Sequence, residues 1–71
     1  MYKMGDKVVL KEVDRCLSPT GFDVYIDPPM TDVEGTVVYL STFINKRVCV
    51  EFVRNFQKHT VWKYEFDLPQ G

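Results

Sequence analysis

The sequence predicts an all-β chain folded as one small barrel of five strands. Three observations predict it. Four runs of four to seven residues are rich in Val, Phe, Tyr and Trp, as strands are. No eleven-residue window holds an i, i+3, i+4, i+7 apolar stripe free of helix breakers. The 71 residues amount to a single domain, 1–71, without repeats, low-complexity tracts or an internal linker.

The runs follow in order. Lys7-Val8-Val9-Leu10-Lys11-Glu12-Val13 is short and β-branched. Gly35-Thr36-Val37-Val38-Tyr39-Leu40 starts on a glycine. Arg47-Val48-Cys49-Val50-Glu51-Phe52-Val53 alternates, with Val48, Val50 and Phe52 on one face. Thr60-Val61-Trp62-Lys63-Tyr64 is the fourth. Between the first two lies a long loop over residues 14–34, punctuated by Ser18-Pro19-Thr20-Gly21 and Asp27-Pro28-Pro29. Phe22, Val24 and Ile26 alternate with polar neighbours, so a short irregular strand fits inside it. The connections over residues 41–46 and 54–59 have hairpin length. Glu65-Phe66-Asp67 before Leu68 fits one 3-10 turn leading into a short last strand.

A strand, a long excursion, three strands joined by hairpins and a terminal turn make the connectivity of an SH3-like barrel. The residues add a resemblance. Gly5-Asp6-Lys7-Val8-Val9 resembles the opening of many small SH3-like barrels, including KOW-type domains and accessory subunits of photosynthetic electron-transfer complexes. Gly35-Thr36-Val37 resembles their second-strand start, and Val48-Cys49-Val50-Glu51-Phe52 their third strand. Trp62, Tyr64, Glu65 and Leu68 resemble a closing motif of Trp, aromatic, acid and Leu. Asp14-Arg15 followed by Ser18-Pro19 is similar to the small soluble subunit of the cyanobacterial cytochrome b6f complex, and short barrels of this kind are common among phage-encoded proteins. The resemblance spans nearly the whole chain and implies a fold more than an activity. The chain departs from peptide-binding SH3 domains, lacking their Ala-Leu-Tyr-Asp-Tyr-like opening, and from KOW-type domains, which are usually basic.

A formal charge of −1 argues against strong non-specific nucleic-acid binding, which draws its affinity from neutralised phosphates. Cys16 and Cys49 have no metal-ligand spacing and make no Cys-x-x-Cys pair, so two reduced thiols are expected. The opening Met1-Tyr2-Lys3-Met4-Gly5-Asp6 turns polar at once, and no apolar stretch is long enough to cross a membrane. The expected location is the cytoplasm.

No residue set is arranged for catalysis. His59 is the only histidine, a polar loop residue without an acid–nucleophile pair. Asp23, Asp27 and Asp32 lack calcium-loop spacing, and the glycines are too far apart for a phosphate loop. No enzyme activity, cofactor or metal is expected. Binding is expected instead, at Tyr25, Phe43, Ile44, Lys46, Arg54, Phe56 and Lys58. Phe43 and Ile44 are an apolar pair in the loop before the third strand, and Phe56 is an aromatic between Arg54 and Lys58. Four acids and no bases in residues 20–35 suggest an acidic lip; Lys46, Arg47, Arg54 and Lys58 suggest a basic one built from the two hairpin loops. Phe22 is expected to cover one barrel end, and Tyr25 to face outward. Trp62 and Tyr64 share a strand face; the core is its expected direction, and outward they would form a flat contact patch. The expected function is a non-enzymatic module that docks onto a protein complex as an accessory or regulatory subunit. The alternative is a KOW-like RNA or DNA contact through Arg47, Arg54, Phe56 and Lys58.

Overall fold

The computed structural model describes residues 2–41 and 46–68. Among them run four antiparallel strands: β1 (Lys7–Leu17), β2 (Asp23–Ser41), β3 (Arg47–Arg54) and β4 (Gln57–Tyr64). They pair in sequence order, and Leu17 of β1 meets Thr60 of β4 to close the sheet into a ring. The 3-10 turn lies where the sequence places it, at Glu65–Asp67, and ends as the Leu68 N–H donates to the Glu65 carbonyl at 3.2 Å. A fifth strand after Leu68 would fall on residues 69–71, outside the described residues.

The long loop after the first strand is corrected. Residues 14–34 are strand for most of their length, because β1 runs on to Leu17 and β2 begins at Asp23. Only residues 18–22 turn. There the Ser18 N–H donates to the Phe22 carbonyl at 2.8 Å, and the Gly21 N–H to the Ser18 carbonyl at 2.9 Å. Gly21 holds φ at +88°, a region that favours glycine. The Asp27-Pro28-Pro29 signal does not break the strand. Val13 pairs with Met30 but Arg15 with Tyr25, so the residues around the two prolines bulge out of the ladder. Proline has no N–H to give a ladder, and a bulge is where a strand tolerates it.

The interior is small and rich in valine. Val48, Val50 and Phe52 share the inner face of β3, as their alternation predicts, and are almost completely buried. They meet Val8, Leu10 and Val13 from β1, Val33 and Val37 from β2, Val61 from β4, and Leu68 beyond the 3-10 turn. His59 is corrected from loop to core. It lies on β4 opposite Phe52, is 2% exposed, stacks on that ring at 6.0 Å, and donates from Nδ1 to the Gln57 carbonyl at 3.2 Å. Phe22 is also corrected: it is 73% exposed and covers no end of the ring.

Gly35 is the tightest crossing. A Cβ there would collide with Val50 Cγ1 and approach the Glu51 carbonyl oxygen to 3.0 Å. One of these atoms belongs to a fully buried side chain and the other to backbone, so neither can yield cheaply. Gly35→Ala is expected to lower unfolding free energy by about 2–3 kcal/mol, as overpacking does, read from urea titration. An unchanged midpoint would refute the close packing.

Candidate functional site

The seven residues expected to bind fall into three groups. Phe43 and Ile44 lie outside the described residues. Tyr25 is 71% exposed on β2, and Lys46 is exposed just before β3. Arg54, Phe56 and Lys58 lie at the far end of β3, around the turn into β4. The seven rises from Arg47 to Arg54 separate these ends by about 23 Å, at about 3.3 Å per residue.

The single basic lip is therefore corrected: successive hairpin loops of a meander leave from opposite ends of their shared strand. The acidic lip is corrected too. Its carboxylates are strung along β2 beside β1, where Arg15 Nη2 meets Asp23 Oδ2 at 3.3 Å and Glu34 pairs in register with Val9.

The β3–β4 loop is shorter than expected. Arg54 pairs with Gln57, which leaves only Asn55 and Phe56 to turn the chain. Both have positive φ, +51° and +63°, as a type I′ turn requires. Asparagine suits that region; a bulky aromatic does not. Phe56 is nevertheless fully exposed there.

The structure brings together a different set on the outer face of β2, β3 and β4. Inward Val48 and Val50 make Arg47 and Cys49 point out, and inward His59 and Val61 do the same for Trp62 and Tyr64. The expectation that Trp62 and Tyr64 face the core is thus corrected; they are 39% and 38% exposed. A one-residue shift in the β2–β3 register between Val37 and Tyr39 brings Tyr39 opposite Cys49, which in turn faces Trp62. The Tyr39 and Trp62 rings meet edge to face, centroids 5.8 Å apart at 72°. The Arg47 guanidinium lies 5.6 Å from the Trp62 centroid. Such contacts contribute roughly 0.5–1.5 kcal/mol each.

A second cation–ring pair stands across a groove. Arg15 lies 5.5 Å from the Tyr25 centroid while bound to Asp23, and that hydrogen bond raises its already high pKa further. Beyond Leu17 and Thr60, β1 and β4 share no further registered pair. The groove that opens there, about 460 Å³, has Arg15, Leu17 and Asp23 on one wall and Arg47, Trp62 and Lys63 on the other. Among the described residues, neither Arg47 nor Lys63 has a carboxylate within ion-pair distance.

Sequence reasoning missed Arg15 and Tyr39 as contact residues. The available signal was the alternation itself: once Val48, Val50 and Val61 point in, the residues between them point out, however apolar they are.

The two cysteines occupy opposite faces, Cys16 in the core cluster and Cys49 beneath Tyr39 and Trp62, and both are free. Burial pushes both thiols up from the ordinary 9.0. For Cys49 a Thr60 hydrogen bond opposes the rise and Glu51 adds to it; for Cys16 the nearby Arg54 opposes it. Among the described residues no three His, Cys, Asp or Glu side chains converge on a common point, and no helix is long and apolar enough to cross a membrane. The chain matches no protein-family model, no curated protein and no solved structure.

Two outcomes are expected. Phe56→Gly should raise unfolding free energy by about 0.5–1 kcal/mol, because relief of the left-handed penalty exceeds the added entropy of the unfolded chain; a lower melting temperature would contradict the strained turn. The folded thiols hold their protons to higher pH than the unfolded ones. Their stabilising contribution is complete below the unfolded thiol value and is lost as pH rises through the raised folded values. Melting temperature should therefore fall more steeply between pH 8 and about 10 in the parent than in a Cys16→Ala/Cys49→Ala variant. Parallel slopes would show that the thiols are not the cause.

Proposed function

We propose that the chain is a non-enzymatic binding module that docks onto a larger protein assembly, as an accessory or regulatory subunit, through the outer face of β2, β3 and β4. The carrying observation is Trp62, turned outward against Tyr39 and capped by Arg47. Trp, Tyr and Arg are the residues that concentrate binding energy at protein interfaces. A sheet face that holds them in fixed contact loses little side-chain freedom when a partner arrives.

The architecture we infer is the SH3-like barrel. The long β1–β2 arm, the short hairpin into β4 and the 3-10 turn near the end support it. The cytoplasm is the compartment that keeps two free thiols reduced. The nucleic-acid reading needs Arg47 to act with Arg54, Phe56 and Lys58, and β3 holds Arg47 at one end and the other three at or beyond the opposite end.

The test is affinity capture of the intact protein from its native cell, with and without nuclease. One protein should be recovered in both conditions, and Trp62→Ala should weaken its binding about 30-fold, the equivalent of a 2 kcal/mol interface anchor. The variant's melting curve must remain cooperative. Recovery abolished by nuclease, or undiminished in Trp62→Ala, would sink the reading.

A further inference from the structure

The groove beside Trp62 carries information about the partner's chemistry, an inference that rests on the docking reading above. Its volume of about 460 Å³ falls within the range of ligand clefts, about 300–1,000 Å³. It is long and open because the sheet is joined at one position, Leu17 with Thr60, and the strands diverge from there. One wall is the edge of β4, which has β3 on its other side and, beyond Thr60, no registered partner on this one among the described residues. A strand edge of this kind takes up an extended peptide by main-chain hydrogen bonds.

The groove also has a sign. Three cations line it, Arg15, Arg47 and Lys63, against a single carboxylate, Asp23, in a chain whose formal charge is −1. Asp23 is already engaged by Arg15 at 3.3 Å. Arg47 is held over the Trp62 ring, so its guanidinium is positioned before any ligand arrives. Lys63 is half-buried and borders a second recess farther along the same seam, lined by Leu10, Lys11, Glu12, Asp67 and Leu68, with neither carboxylate at ion-pair distance from it. Cations without acidic partners beside an aromatic floor complement an anionic guest. Asp23 at the wall disfavours a guest with a charge on every unit, as a nucleic acid has, and permits one whose charges are spaced.

We propose that the β1–β4 seam receives an extended acidic segment of the partner protein, lying along the edge of β4. Its carboxylates meet Arg47 on the Trp62 face of β4 and Lys63 on the opposite face, while apolar side chains beside the first cover Trp62. Backbone pairing supplies affinity, and the two cations supply the choice of sequence.

Trp62 is the only tryptophan, so its fluorescence reports on the groove directly. The intact protein is titrated with three probes: a blocked ten-residue peptide of alternating Val and Glu pairs, its Val–Lys counterpart, and a ten-nucleotide oligothymidylate. The Val–Glu peptide should saturate at a concentration at least tenfold below either of the others, and its affinity should fall as salt rises. Arg47→Glu with Lys63→Glu should invert the preference toward the Val–Lys peptide. The milder Arg47→Gln with Lys63→Gln should abolish it, and Lys3→Glu should leave it intact. Circular dichroism melts establish that each variant is folded, and the Gln pair keeps the test decisive if the Glu pair does not fold.

Equal response to both peptides, a preference untouched by either double variant, or no response to any probe would overturn the proposal. Tighter binding of the oligonucleotide would replace it with nucleic-acid recognition. If Trp62→Ala releases the captured protein while the Val–Glu peptide shows no preference, the docking face stands and the acidic guest falls.

Discussion

Val50 lies where three strands meet, opposite Val37 on β2 and Val61 on β4, and packed against the bare backbone of Gly35. The ring depends on this contact. A chain of 71 residues can bury only about 60% of its extended surface, so its strands must approach closely for a core of valines to fill the space between them. A side chain at residue 35 would lift β2 off β3 at the point where β2 also carries β1 across the interior. The same crossing holds β1 where Leu17 can reach Thr60, the one registered link between the first strand and the last.

The outer face is the consequence of that inner one. Once Val50 is committed inward, the period of two leaves no freedom for its neighbours on β3. Cys49 must point out, and it is buried only because Tyr39 and Trp62 cover it from the flanking strands. The register shift between Val37 and Tyr39 is what brings Tyr39 into that row. The aromatic patch is therefore not core left over at the surface. It is a second, thinner layer, ordered from beneath by a small buried thiol and from the side by Arg47.

Much of the fold was legible in the sequence. Inward Val48, Val50 and Phe52, the outward Tyr25 and the 3-10 turn at Glu65–Asp67 all follow from local patterns of the kind that alternation and chain punctuation report. What was not legible has identifiable causes. Pro28 and Pro29 read as punctuation of a long loop, yet a long bent strand can expel them as a bulge, and only the β1 partner decides that. Trp62 and Tyr64 read as a core-facing pair, yet His59 and Val61 take the interior because the β3–β4 register sets them opposite the inward Phe52 and Val50. Of the expected site, Tyr25 and Lys46 share an end of the molecule with the groove. Grouping Lys46 with Arg54 counted charges along the chain and ignored that a meander sends its successive loops to opposite ends.

That separation also governs how the charge acts. At physiological ionic strength the Debye length is about 8 Å, whereas β3 spreads its two basic ends over about 23 Å at about 3.3 Å per residue. The cations at the Phe56 turn and those at the groove therefore do not sum into one field. Each acts mainly on its own end, though Arg54 reaches the buried Cys16, and Lys58 is drawn toward Glu51 at 3.9 Å besides. A formal charge of −1 averages over surfaces that never act together. The groove sees Arg15 engaged by Asp23, Arg47 fixed on a ring and Lys63 half-buried without an acid partner among the described residues. For a guest within a few ångströms, the groove wall that carries Arg47 and Lys63 is cationic.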